Sequence, residues 1–73
     1  MVINLIVERT DDGFVATIPG EINQETWAHT EEEVIEKSID IVKYFLKIED
    51  SKKINIDKAR GDSIKTIYKI IIK

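Results

Sequence analysis

Residues 2–19, VINLIVERTDDGFVATIP, predict a β-hairpin, and the rest of the domain can be placed around it. Residues 2–8 are apolar and β-branched, which favours a strand that is buried on both faces. Asp12-Gly13 follows this strand, and an Asp-Gly pair supplies the positive φ that a tight hairpin turn uses. The second strand alternates and ends at Pro19, which cannot donate a hydrogen bond to a neighbouring strand.

A third strand and then a helix are predicted after the hairpin. Residues 26–29 (TWAH) form a short strand. Thr30 and Glu33 form a capping box, in which each side chain satisfies the backbone N–H group of the other at the start of a helix. The apolar residues from Val34 to Ile48 fall within an arc of about 180° on a helical wheel. This stripe is wider than one small sheet requires, so part of it faces a second protomer, or the C-terminal segment covers it.

The last third of the chain fits a strand better than a helix. Residues 49–62 form a charged linker that can hold a short strand at residues 54–56. Residues 63–72 alternate with a period of two, although their isoleucines also fit a helical period. Their richness in isoleucine and the absence of a helix cap favour the strand. The sequence therefore predicts a single α+β domain over residues 1–73.

The small size of the chain predicts self-association. A core of this size supplies roughly 3–5 kcal/mol, so small domains usually gain stability from disulfides, metals or partner subunits. The chain has no cysteine and one histidine, which excludes disulfides and leaves no His/Cys metal site. We therefore expect a homo-oligomer, most simply a dimer, with no metal and no cofactor.

Charge is distributed unevenly along the chain. Residues 1–51 carry twelve acidic and four basic residues, a balance of −8, whereas residues 52–73 carry seven basic and two acidic residues, a balance of +5. The acidic part disfavours non-specific binding of nucleic acid, because neutralising phosphates needs a basic surface. The basic part could contact phosphate or the acidic helix of a second copy.

The N-terminal sequence and the apolar runs predict a cytoplasmic location. Residues 1–10 (MVINLIVERT) lack the basic start and the long apolar stretch of a signal peptide. The longest apolar cluster, residues 70–72, is far too short to span a bilayer. We expect no membrane partner.

Two segments resemble the HicB-like antitoxin family. They are DGFVATIPG at residues 12–20 and TEEEV at residues 30–34, and the family carries a G-[FY]-x-A-x-x-P segment followed by a T-x-E-E-A helix start. The resemblance covers residues 2–48. It implies a partial RNase H-like fold, β-β-β-α-β, in which a small mixed sheet carries the helix on one face and the last strand lies parallel beside the first. It also implies a protein that covers a HicA-type toxin, a small basic mRNA interferase.

The chain departs from the family pattern in three places. The L-P-G-C-x-T-x-G stretch that precedes the helix in the family is replaced by residues 20–29, and the small alanines of the helix are replaced by isoleucines and lysines. The chain also ends where many members begin a DNA-binding domain, so we expect no direct contact with nucleic acid. The predicted function is a HicB-like antitoxin or a binding module derived from one. A stand-alone oligomeric structural or regulatory protein with no toxin partner is the alternative.

Five residues are predicted to bind the partner: Trp27, His29, Glu32, Glu36 and Asp40. Trp27 is the only tryptophan and lies in the stretch that departs from the family pattern. Tryptophan is enriched at interface hot spots, although packing in the core is its commoner role. The acidic residues of the helix either complement a basic partner or face solvent.

The remaining polar residues do not form a catalytic pattern. Asp11 and Asp12 match the chemistry of a turn, whereas two-metal nucleases draw their carboxylates from separate strands. His29 has no nucleophile or orienting acid in a recognisable arrangement. We expect Lys65, Lys69 and Lys73 to protect a sheet edge from aggregation rather than to bind phosphate. The sequence therefore predicts that the protein is not an enzyme.

Overall fold

The computed structural model describes residues 1–73 and contains one five-stranded sheet with one α-helix on one of its faces. In chain order the elements are β1 (Val2–Arg9), β2 (Phe14–Ile18), β3 (Gln24–Ala28), α1 (Glu31–Leu46), a 3₁₀ helix (Ser51–Lys53), β4 (Ile54–Gly61) and β5 (Lys65–Ile72). Across the sheet the strands are ordered β3-β2-β1-β5-β4, and every neighbouring pair is antiparallel. The predicted α+β class is confirmed.

The topology of the sheet differs from the prediction in two respects. The predicted mixed sheet with a parallel last strand is wrong, because β5 pairs antiparallel with β1 from Glu8 to Val2. The short strand predicted at residues 54–56 is present but extends to Gly61, so the chain has a fifth strand at the edge. β4 runs in the same direction as β1, and β5 lies between them.

A tight turn joins β4 to β5. The Asp62 carboxylate accepts hydrogen bonds from the backbone N–H groups of Ile64 and Lys65, both at 2.8 Å, and these bonds lower the pKa of Asp62. The turn folds β4 and β5 into an antiparallel hairpin. β5 of this hairpin pairs with β1, and the register from Val2–Ile71 to Glu8–Lys65 makes that pair antiparallel as well. The strand predicted for residues 63–72 is confirmed as β5, but it is antiparallel to β1 instead of parallel.

The turn between β1 and β2 is closed by Thr10. Its N–H donates to the carbonyl oxygen of Gly13 at 2.8 Å, and its hydroxyl accepts from the Gly13 N–H at 3.1 Å. The predicted positive φ at Gly13 is wrong, since Gly20 is the glycine with a positive φ, at 91°. Gly13 is required for another reason. A Cβ atom there would clash with the carbonyl oxygen of Ala28 on β3.

The helix begins where the sequence predicts. The Thr30 hydroxyl accepts from the Glu33 N–H at 3.1 Å, which is the threonine half of the capping box. The helix ends at Lys47, whose left-handed conformation (φ 56°) lets its N–H donate to the Lys43 carbonyl oxygen. Ser38 lies fully buried at the centre of the packed face, and its hydroxyl donates to the Val34 carbonyl oxygen at 2.7 Å. This internal bond allows a polar side chain at an apolar contact.

The hydrophobic core lies between α1 and one face of the sheet. Its members are Leu5, Val7, Ala16, Ile18, Ala28, Val34, Val42 and Ile70. The helix contacts β3 and β2, and β1 to a smaller extent. The predicted burial of β1 on both faces is wrong, because Ile6 between Leu5 and Val7 is only half-buried. No element of the chain covers the opposite face.

Tyr68 is the polar side chain that connects β5 with the start of the helix. It lies on the core side of the sheet, opposite Leu5 in the register, and is half-buried. Burial raises the pKa of its hydroxyl above the ordinary value of 10.0, and the neighbouring carboxylate of Glu31 raises it further. The neutral form of this tyrosine is therefore favoured in the folded protein.

We predict that Gly13→Ala destabilises the protein by about 1–3 kcal/mol, because the added methyl group meets the backbone of β3. Urea unfolding followed by the fluorescence of the single tryptophan measures the change. Asp12→Ala is the matched control, since Asp12 is exposed in the same turn and should alter stability by less than about 0.5 kcal/mol. Equal stability of the two variants would contradict the close approach of β2 and β3.

We predict that the stability of the protein falls at alkaline pH in part through Tyr68. Because the folded-state pKa is raised, the unfolded state loses its proton first. The stabilisation is complete below pH 10.0 and is lost as pH rises through the folded-state pKa. Unfolding free energies measured between about pH 9 and pH 11 should fall less steeply in Tyr68→Phe than in the wild type. Tyr44→Phe, at an exposed site, should follow the wild type, and identical slopes for both variants would refute the prediction.

Candidate partner-binding surfaces

The outer side of α1 carries a line of carboxylates, here called the acidic ridge, formed by Glu32, Glu36 and Asp40. Their spacing of four residues places them above one another on the helix, and all three are exposed. The structure therefore brings these three predicted site residues together on one surface.

Two neighbouring lysines of the helix form hydrogen bonds with groups outside the acidic ridge. The Lys37 amine donates to the backbone carbonyl oxygen of Trp27 at 3.0 Å. The Lys43 amine donates to the Ser51 hydroxyl at 2.9 Å, on the 3₁₀ helix. Neither amine is paired with a carboxylate of the ridge, which presents negative charge over the first part of α1.

Tyr44 is an exposed aromatic residue one turn beyond the acidic ridge. Its side chain is 80% exposed, and its ring lies 5.6 Å from the ring of Phe45 in an edge-on arrangement. The sequence reasoning did not single out Tyr44. It occupies the charged arc of the helical wheel, and an aromatic residue on the polar side of a helix is the signal that could have identified it.

Trp27 lies on the face of the sheet opposite the helix. It pairs with Val15, and the next residue on each strand, Ala28 and Ala16, belongs to the core. Because side chains alternate along a strand, the Trp27 side chain points to the other face. It is 38% exposed, and its ring is 4.6 Å from that of the exposed His29. Of the two roles weighed for Trp27, the structure excludes membership of the hydrophobic core.

The five predicted partner-binding residues thus occupy two regions. The acidic ridge lies on the helix side of the sheet. Trp27 lies on the opposite face, on the edge strand β3, and its ring is close to the ring of His29. The hydrogen bond from Lys37 to the Trp27 carbonyl oxygen spans the short distance between the regions. A partner that contacts all five residues must therefore bind around the β3 edge.

The face of the sheet opposite α1, here called the open face, is a third surface. Its side chains, deduced from the strand register, are those of Val2, Asn4, Ile6, Glu8, Val15, Thr17, Glu25, Trp27, Asn55, Asp57, Arg60, Lys65, Ile67, Lys69 and Ile71. Ile6 and Ile67 lie directly opposite each other on adjacent strands and are half-buried. The open face therefore combines an apolar centre with charged flanks.

Lys65 and Lys69 do not protect a sheet edge, and that prediction is wrong. They lie on β5, which pairs with β1 on one side and with β4 on the other. The β4–β5 hairpin explains why these lysines are not at an edge. It places β5, the last strand of the chain, inside the sheet, and β4, from the predicted linker, at the edge. The two lysines instead belong to the open face.

The remaining candidate residues form no cluster. Asp11 and Asp12 are exposed in the β1–β2 turn, in keeping with the turn chemistry predicted for them. No group of three or more His, Cys, Asp or Glu side chains is arranged to hold a metal ion. The helix is neither long enough nor apolar enough to cross a membrane.

Comparison with known proteins finds no family model, no curated protein and no solved structure that matches this chain. The resemblance to HicB-like antitoxins accordingly depends on the motifs at residues 12–20 and 30–34.

Proposed function

We propose that this chain is a HicB-like antitoxin, or a binding module derived from one, whose helix side covers a small basic toxin of the HicA type. The observation that carries the proposal is the acidic ridge of Glu32, Glu36 and Asp40 beside the 80% exposed Tyr44. Interfaces are typically built from aromatic anchors bordered by charged residues. A basic protein supplies the charges that this surface lacks.

The same surface explains how such a toxin would be silenced. An mRNA interferase needs its basic surface to hold RNA phosphates. Carboxylates spaced by one helical turn compete for those cations, and complementary charge also speeds association. The amines of Lys37 and Lys43 are engaged by the Trp27 carbonyl oxygen and the Ser51 hydroxyl, so neither is paired with a carboxylate of the ridge. The antitoxin would thus occupy the surface that RNA requires.

The HicB-like part of the fold is assigned to residues 2–46. This part contains the antiparallel β1-β2-β3 order followed by a helix packed across those strands, as expected of a partial RNase H-like fold. The β4–β5 hairpin departs from that fold, since β5 takes the place beside β1 that a parallel strand would fill. We therefore propose that the hairpin is an addition specific to this chain.

The partner also reaches around the β3 edge to Trp27 and His29 in this proposal. His29 directly precedes the helix cap Thr30, so it adjoins the end of α1 that carries Glu32. The Trp27 ring, in contact with the His29 ring, then supplies a second aromatic contact beyond Tyr44. These residues lie in the stretch where the sequence departs from the family, which fits a partner specific to this protein.

We predict that Glu32→Lys/Glu36→Lys weakens binding to the small basic protein encoded beside this gene by at least about tenfold, because like charges then meet at the interface. Isothermal titration calorimetry with the purified partner measures the affinity, and cleavage of RNA by the partner reports its release. Tyr44→Ala and Trp27→Ala test the two aromatic contacts in the same assay.

Glu21→Lys/Asp57→Lys is the matched control for the charge change. Both positions are exposed and lie off the acidic ridge, so this variant changes net charge by the same amount and should bind as the wild type does. A neighbouring gene that encodes no small basic protein, or equal affinities for the ridge and control variants, would refute the antitoxin proposal.

A stand-alone oligomeric role is the second candidate function. The observation in its favour is the open face, whose half-buried isoleucines are covered by no element of the chain. In that case the protein would associate only with itself, and the neighbouring gene would encode no toxin. Self-association and toxin binding use different surfaces, so the first does not exclude the second.

A further inference from the structure

The apolar centre of the open face lies along the seam between β1 and β5. Ile6 faces Ile67 across this seam, and Val2 faces Ile71. None of these four side chains packs against the core under α1, because they point to the other side of the sheet. The polar pair Asn4 and Lys69 separates these two apolar pairs, so apolar and polar rows alternate along the seam. Uncovered apolar side chains bordered by polar residues mark an interaction surface.

Each edge of the sheet has a feature that hinders pairing with another strand. At β3, the Ala28 carbonyl oxygen points inwards to Gly13, so the alternation of the strand turns the Trp27 carbonyl outwards, where the Lys37 amine occupies it. At β4, a bulge between Lys58 and Arg60 and the charges of these residues interrupt the edge. The open face, rather than an edge, is therefore the surface available for association.

The charges of the open face separate at the same seam. The β3-β2-β1 half carries the acids Glu8 and Glu25 and no base. The β5–β4 half carries the bases Lys65, Lys69 and Arg60 and the single acid Asp57. These assignments follow from the strand register. The face is therefore negative on one side of its apolar centre and positive on the other.

We propose that the open face binds the open face of a second copy of this chain, with the two-fold axis parallel to the strands and between β1 and β5. Rotation about this axis places β1 of one copy over β5 of the other. Ile6 then meets the partner copy's Ile67, and Glu8 meets its Lys65. A two-fold axis across the strands would instead place the acidic half of one copy over the acidic half of the other and the basic half over the basic half, which like-charge repulsion disfavours.

The size of the face sets the strength of the association. Its β2, β1, β5 and β4 strands present about thirteen side chains, fewer than the roughly 20–30 residues that each partner contributes to a standard interface. The dimer is therefore expected to form at micromolar concentrations. The axis lies between β1 and β5, with three strands on one side and two on the other. The outermost of the three, β3, therefore extends past the partner copy. Trp27 on β3 and the acidic ridge on the helix remain accessible to a different protein.

Two complementary charge variants test the geometry. Glu8→Lys places a lysine over the partner copy's Lys65, and Lys65→Glu places a glutamate over its Glu8, so each variant alone should dimerise at least about tenfold more weakly than the wild type. An equimolar mixture should form heterodimers with near wild-type affinity, because both contacts then join opposite charges. Analytical ultracentrifugation across the micromolar range, with one variant fluorescently labelled, measures the two homodimers and the heterodimer.

The mixing experiment distinguishes the proposed contact between two copies from the contact between Glu8 and Lys65 within one chain. Glu8 and Lys65 are also neighbours in the same sheet, but mixing folded variants does not alter that contact. Recovery of association on mixing therefore supports the parallel axis. Wild-type association with no recovery in the mixture overturns it.

The apolar centre is tested by Ile67→Lys, which should abolish the dimer. Ile64→Lys is the matched control, because Ile64 is 63% exposed in the β4–β5 turn and lies outside the open face, so this variant should remain dimeric. Circular dichroism verifies that both variants fold. A wild-type protein that stays monomeric throughout the range, or an unaffected Ile67→Lys dimer, overturns the proposal. Binding of the basic toxin is measured separately and depends on the ridge, so the two proposals can fail independently.

Discussion

A single helix must shield a five-stranded sheet in this protein, and its width sets the limit on what can be buried. An α-helix is about 10 Å across, whereas five strands spaced by about 4.8 Å extend over roughly 20 Å. α1 therefore packs over β3, β2 and part of β1, and the core forms beneath it. The opposite face has no cover from the chain. The half-buried isoleucines of the open face are the direct result of this shortage of covering elements.

The uneven distribution of charge along the chain becomes a spatial division because of how the strands are ordered. The acidic residues 1–51 form β1, β2, β3 and α1, and the basic residues 52–73 form β4 and β5. Since β5 pairs with β1, the boundary between the two parts of the chain falls within the sheet rather than at one end of the molecule. The acidic ridge and the open face thus carry different charge patterns and suit different partners.

The five proposed partner-binding residues show how far a sequence can locate a surface. Glu32, Glu36 and Asp40 could be grouped in advance, since a spacing of four residues places side chains on one side of any helix. The location of Trp27 could not, because alternation along a strand identifies two faces but not which of them the helix covers. Tyr44 could not be identified from the apolar stripe, because it lies on the charged side of α1.

The sequence alone determined the features that depend on local chemistry. Thr30 starts the helix through a hydrogen bond three residues away, β2 stops before Pro19, and the alternation of residues 63–72 indicates a strand. The tertiary structure decided the features that depend on distant segments. β5 lies antiparallel beside β1, Gly13 is needed because β3 passes close to it, and one face of the sheet is left open. These features depend on contacts between segments that are far apart in the sequence, and local sequence patterns do not specify those contacts.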